Sequence, residues 1–372
     1  MRVVILSKAL VVGAYHSKLA ELAARPDLEL IAIVPPSWRD ERGELRLERV
    51  PTRGYQLITT PLRFNGNFHL HYYPQLPRLL KQLRPDLVHI DEEPYNLATL
   101  LALRAARSIG ARSLFFSWQN LQRRYPPPFN LIERYVLSHV DAALAGNRDA
   151  VQVWRAKGYR GPIEVIPQFG VDPIAFAPQP RDQTAGPLVI GCAGRFVEEK
   201  GADLLLRAVA GLSGEWRADL IGGGPWHNRL IALTRSLGVA DRVRFLPWRP
   251  SSEITAFYRT LDVLALPSRS KPNWKEQFGR VLVEAMACGV PVIGSTCGEI
   301  PNVIGDAGLI FPEGDVAALR EHLRSLQIQP ALRAELARRG RQRVLDHFTQ
   351  AQIARQTYDV YQQLLQTKAR TP

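Results

Sequence analysis

Two glutamates stand eight residues apart in KEQFGRVLVEAMACGVPVIGS, residues 275–295: Glu276 on a stretch without periodicity, Glu284 inside an apolar helical pattern. A carboxylate among apolar residues is costly unless it is paired. The two vicinal hydroxyls of a ribose would satisfy Glu284, and so would a salt bridge to a nearby arginine. Glu276 precedes the helix that starts at Phe278 and Gly279. It is either a group aimed into a binding cleft or an N-terminal helix charge. The backbone N–H groups of Phe278, Gly279, Arg280 and Val281 open that helix at its positive end, where the first donors have no intrahelical acceptor. Upstream, GCAGRFVEEKGADLLLRAV places Gly194 and Arg195 at the end of a strand and Lys200 just before Gly201 and an apolar helix. Arginine can grip two phosphate oxygens with its planar fork, and lysine acts as a mobile point charge, so the pair suits a pyrophosphate. Pairing of Lys200 with Glu198 or Glu199 is the plain structural alternative.

These residues need strand–loop–helix units to hold them, and the chain supplies two sets. The first runs through RVVILS, SKLAELAARP, LELIAIVPP, PDLVHID, NLATLLALRAARSIGA, RSLFFSW, NLIERYVLSHV and DAALAG. After the proline-bearing APQPRDQTAGP (177–187) the same grammar restarts with LVIGCAG and continues through RADLIGGG, RVRFLPW and DVLALPS to the helix and strand around Glu284. Alternating strands and helices predict parallel α/β sheets. The expected fold class is therefore α/β, with two Rossmann-like, doubly wound domains facing a cleft. The expected parts are domain 1–176, linker 177–187, domain 188–350 and a C-terminal helix 351–372 packing back on the first domain. The tail from about residue 330 to 367 reads as helical throughout. Ligands of such sheets bind beyond the carboxyl ends of the strands.

The 372 residues are 46% hydrophobic and 22% charged, the composition of a globular protein with more than one core. No apolar run approaches the ~18 residues of a membrane span, and the amino-terminal residues read as a first strand rather than a signal peptide. Three cysteines without a C-x-x-C pair fit a reducing cytoplasm. The eight histidines form no helical H-x-x-x-H pair, so no metal site is expected. The net charge of +13 divides into +7 over residues 1–180 and +6 over residues 181–372. Nucleic acid, anionic lipid and a phosphorylated substrate would each accept that charge. Its even spread and the lack of a nucleic-acid motif argue against nucleic acid as a partner.

GRFVEEKG, EQFGRVLVE, EAMACGVPVIGS, GLIFPEGD and the crossover VIPQFGVDPIAFAP, with Gly170, Val171, Asp172 and Phe176, occur in one order. Together they resemble the retaining GT-B glycosyltransferases of the family 4 type (glycosyl transferases group 1), over nearly the whole chain. The resemblance implies transfer from a nucleotide diphosphate sugar to a glycan, lipid-linked or small-molecule acceptor, with no cofactor and no metal. It gives Arg195 and Lys200 the donor diphosphate, Glu276 and the amides that follow it the donor sugar and phosphate, and Glu284 the ribose. Gly13 would let the first domain's backbone approach the phosphates, and RVRFLPW would lie beside the base. The acidic run DEEP at 91–94, with Glu93, is assigned to the acceptor side, as are Gln119 and Asn120. Those two follow a strand after which relatives often carry a histidine. Glu299 and Asn302 also depart from the family pattern, and SRSKPNWKEQ is longer and more basic than a minimal loop. RFNGNFHLHYYPQLPRLLKQLRP (63–85) is either a packed amphipathic segment or a peripheral membrane contact. A basic nucleic-acid-binding protein, another GT-B activity such as an epimerase or phosphorylase, and a noncatalytic GT-B-fold scaffold are the alternative readings.

Overall fold

The computed structural model describes residues 1–40, 43–179, 186–250 and 253–366. They form two compact units, Met1–Gly170 with the helix Gln350–Gln366, and Val171–Thr349. The middle of the expected linker, residues 180–185, lies outside the described residues, as does the end of the C-terminal tail.

In the first unit the strands are β1 (Arg2–Leu6), β2 (Glu29–Val34), β3 (Ser37–Asp40), β4 (Gly43–Arg46), β5 (Tyr55–Thr59), β6 (Leu87–Ile90), β7 (Arg112–Ser117), β8 (Ala142–Ala145) and β9 (Ile163–Val165). A parallel sheet has the order β5-β2-β1-β6-β7-β8-β9, with β3 and β4 paired as a separate antiparallel ribbon. Its inner strands are mostly apolar because helices cover both faces: Val4, Leu6 and Val88 point into one core and Val3, Ile5 and Leu87 into the other. The helix Gln350–Gln366 closes the second of these cores with Ile353, Ala354, Tyr361 and Leu364. Its Tyr358 hydroxyl donates to Asp27, and its Tyr361 hydroxyl is 2.6 Å from His89 Nδ1.

The second unit contains β10 (Leu188–Arg195), β11 (Trp216–Gly223), β12 (Val243–Leu246), β13 (Val263–Leu266), β14 (Val292–Ser295) and β15 (Leu309–Phe311). They form a parallel sheet in the order β12-β11-β10-β13-β14-β15. Both sheets are doubly wound. The strand order reverses between β1 and β6 in one and between β10 and β13 in the other, which are the crevices where ligands of such sheets bind.

Two boundaries differ from the expectation. The first unit ends at Gly170, not at 176, because the Val171 N–H donates to Phe348 O and Phe176 is buried in the second unit's core. The tail is not one continuous helix. Pro330–His347 ends at Phe348, and Thr349 bridges to Val171 before the next helix begins. Gln350 consequently belongs to the first unit.

Candidate functional site

The site begins at the switch point of the second unit. Arg195 is the last residue of β10, and a short turn carries the chain through Glu198–Lys200 to the helix Ala202–Ala210. Gly201 makes that turn with φ +68°, and a Cβ there would lie 1.9 Å from Pro267 O, so the turn presses directly on the end of β13. Beyond β13 the loop 267–279 leads to the helix Arg280–Ala287, whose N-cap is Gly279 with φ +79°.

These two strand ends bring Lys200 and Glu276 together, Nζ to Oε2 at 2.6 Å. Lys200 therefore pairs with neither Glu198 nor Glu199. Glu198 takes Lys271 instead, and Glu199 lies 3.7 Å from Arg195. Glu276 is 7% exposed, accepts the Ser268 hydroxyl at 3.0 Å, and has its own carbonyl held by the Glu299 N–H. It belongs to the floor of the switch point and not to a loose loop. Glu299, one of the departures from the family pattern, thus supports Glu276 through its backbone.

Glu284 lies one turn into the helix, on the face of Arg280, and not two turns down as its distance from Glu276 suggests, because the helix starts only at Arg280. Arg280 Nε donates to Oε1 at 2.8 Å and the Tyr258 hydroxyl to Oε2 at 2.7 Å. Burial, followed by the Glu284 charge, pushes the Tyr258 hydroxyl well above its ordinary range, which keeps it a donor. Tyr258 is a site residue that its apolar sequence context does not announce. Val281 and Phe278 are half-buried beside these groups, and Gly194 is open on its Cα side. In the segment expected beside a base, Arg244 of β12 is turned onto Asp219 at 2.7 and 2.6 Å, and Trp248, just past the strand, is exposed.

The switch point of the first unit carries the DEEP run. Leu6 pairs in register with Ile90, so Ser7 and Lys8 emerge beside Asp91 and Glu92. The three carboxylates have separate partners. Asp91 accepts the Ser7 hydroxyl and the Gln168 amide, Glu92 the Lys8 ammonium, and Glu93 the Ser117 hydroxyl at 2.6 Å and the Trp118 N–H at 2.8 Å. Their acidities diverge accordingly. Burial lifts Glu93 to about 7 against its two hydrogen bonds, whereas at Glu92 burial is outweighed by Lys8 and His71, which bring it to about 2. Lys18, buried beside Asp91, falls to about 8. Gln119 is engaged on its own loop, donating to Leu121 O and accepting the Tyr125 hydroxyl, and Asn120 is buried next to it. Gly13 is the expected residue that fits least: its N–H donates to the Glu48 carboxylate at 2.7 Å, and Val50 Cγ1 lies 2.6 Å from where a Cβ would be.

Residues 176–343 match the model of glycosyl transferases group 1, and residues 12–168 match the glycosyl transferase 4-like domain. The chain belongs to the group 1 glycosyltransferases of the GT-B type. Within this family it is 32% identical over 208 residues to a GDP-mannose-dependent alpha-(1-6)-phosphatidylinositol monomannoside mannosyltransferase of Mycolicibacterium smegmatis, covering 52% of this chain and 54% of that one. It is also 32% identical over 216 residues to the lipopolysaccharide core biosynthesis glycosyltransferase LpsE of Rhizobium meliloti, covering 57% and 60%. The chain thus spans about half the length of the curated relatives it matches. The fold is shared with Anabaena HepE, solved in complex with UDP, at a TM-score of 0.73 and 17% identity over 98% of this chain and 100% of that one.

Proposed function

We propose that this group 1 glycosyltransferase moves a sugar from a nucleotide diphosphate sugar to a glycan, lipid-linked or small-molecule acceptor, with retention at the anomeric carbon and without a metal ion. The observation that carries the reading is the Lys200–Glu276 pair, held at 2.6 Å over the switch point of the second unit. Both members are half of a better arrangement. A diphosphate gives Lys200 a stronger anion, and donor-sugar hydroxyls give Glu276 neutral donors. Binding then exchanges one ion pair for two sets of charge-assisted hydrogen bonds. As the glycosidic bond breaks, negative charge grows on the departing diphosphate, where Arg195 and Lys200 stabilise it. Gly194 and the backbone of residues 278–281 line the phosphate and sugar, and Glu284 takes the ribose hydroxyls with Arg280 and Tyr258 holding its carboxylate in place.

Acceptor recognition is assigned to the first unit, through Glu93, Gln119 and Asn120. A role for Gly13 at the phosphates requires Glu48 to give up its amide. Phe64 and Phe68, exposed on the same segment as Arg63, give that unit an apolar and basic edge. This edge supports a lipid-linked acceptor at an anionic membrane surface. Among the described residues no helix is long and apolar enough to cross a membrane.

The test offers UDP- and GDP-hexoses with glycan and lipid-linked acceptors, with and without EDTA, and reads the anomeric configuration of the product by NMR. Retention that survives EDTA is expected. Glu276→Gln should lose about 100-fold or more in transfer while keeping its affinity for the nucleoside diphosphate. An inverted product, or activity lost with EDTA, would refute the corresponding part of the reading.

A further inference from the structure

The loop 267–279 carries a residue to which the donor-site reading gives no task. The Lys200 ammonium, which Glu276 holds on one side, lies 5.0 Å from the centroid of the Trp274 ring. The ring is half-buried against the core of the second unit. Its backbone is closed in a turn by reciprocal hydrogen bonds with Lys271, at 2.8 and 3.1 Å. That turn is tied to the segment bearing Lys200. Lys271 pairs with Glu198, Arg269 pairs with Asp203, and the Arg269 N–H donates to Glu199 O at 2.8 Å. Ser270 anchors the other side of the loop through its N–H and hydroxyl on Glu313. The long, basic loop thus functions as a brace that fixes an indole beside one ammonium.

We propose that Trp274 is a positioning residue for the donor diphosphate, its indole face seating the Lys200 ammonium while that ammonium exchanges Glu276 for phosphate. The inference rests on the reading that Lys200 binds the diphosphate. A carboxylate partner neutralises a lysine and competes with an incoming anion. An aromatic face attracts the cation through its quadrupole and leaves the charge available. A flexible lysine stem would otherwise lose its place when Glu276 turns to the sugar. Trp274 keeps Lys200 at the mouth of β10 throughout the exchange.

The full chain is titrated calorimetrically with UDP and with GDP, as the unmodified protein, Trp274→Leu, Trp274→Phe and Lys200→Ala, and as Trp274→Leu combined with Lys200→Ala. Trp274→Leu is expected to weaken binding of the diphosphate about fivefold, the scale of one cation–π contact. Trp274→Phe should stay within about twofold of the unmodified chain, because it keeps an aromatic face. On the Lys200→Ala background Trp274→Leu should have no further effect. Unchanged affinity in Trp274→Leu, equal losses in Leu and Phe, or a further loss on the Lys200→Ala background would each overturn the role of Trp274 and leave the phosphate clamp standing. Undiminished affinity in Lys200→Ala, or binding of neither nucleotide to the unmodified chain, would overturn the clamp and this inference together.

Discussion

Glu284 shows how a single buried carboxylate can be at once structural and available. Arg280 and Tyr258 each take one of its oxygens, which removes the penalty of burial, yet each carboxylate oxygen can accept more than one hydrogen bond. Glu284→Ala should weaken nucleoside diphosphate binding by about 1–3 kcal/mol, the scale for lost charge-assisted hydrogen bonds. Tyr258→Phe, which removes one of the two donors that hold the carboxylate but keeps the carboxylate itself, should weaken that affinity by clearly less. Calorimetry on both variants separates the ribose contact from the support beneath it. Equal losses in the two would mean that Glu284 acts only by holding the helix. The sequence singled out Glu276, Glu284, Arg195 and Lys200 as candidates by their types and spacing, and the structure brings Lys200 and Glu276 together. Their present partners were not legible there, because Lys200 and Glu276 meet across 76 residues and Tyr258 reaches Glu284 from a separate helix. The occupation of the Gly13 amide by Glu48 was hidden for the same reason, at a separation of 35 residues.

Among the elements, the turn between β10 and its following helix is the one that most directly sets the geometry of the site. Gly201 allows it, since any side chain there meets both a positive φ and the Pro267 carbonyl. Gly201→Ala should cost about 2 kcal/mol or more of stability, measured by urea denaturation, and should weaken diphosphate binding by displacing Lys200. Stability equal to the unmodified protein would show that the turn relaxes freely. The alternation of apolar runs and helical stretches made the parallel sheets readable, because strands covered on both faces leave continuous runs such as RVVIL and ELIAIV. Short or polar elements escaped. The ribbon of β3 and β4 and the three-residue β9 carry too little apolar pattern to stand out from loops. The break at Phe348–Thr349 interrupts a tail of uniform helical propensity through a long-range pairing with Val171.

For the whole molecule, the buried charges at the first unit's switch point should leave a signature in the dependence of stability on pH. The Glu93 carboxyl is lifted from about 4.5 to about 7, so between these values the folded chain keeps a proton that the unfolded chain has lost. Stability from this group is present below about 4.5 and is lost as pH rises towards 7, by about 3 kcal/mol in all. Glu92, lowered to about 2, acts in the opposite sense and in a different window: its contribution is complete above about 4.5 and is lost as pH falls towards 2. Urea denaturation at pH 4.5 and 7.5 should therefore show Glu93→Gln gaining on the unmodified protein by roughly 3 kcal/mol across that interval. A difference that does not change with pH would show that Glu93 is already ionised throughout. The central claim, that the second unit holds a nucleotide diphosphate sugar at Arg195, Lys200, Glu276 and Glu284, is tested most directly by thermal unfolding of the unmodified chain and Lys200→Ala with UDP, GDP and ADP at saturating concentrations. One nucleotide should raise the transition of the unmodified chain by the linkage of binding to folding, and Lys200→Ala should lose most of that rise. No shift with any of the three, or the same shift in Lys200→Ala, would contradict the account.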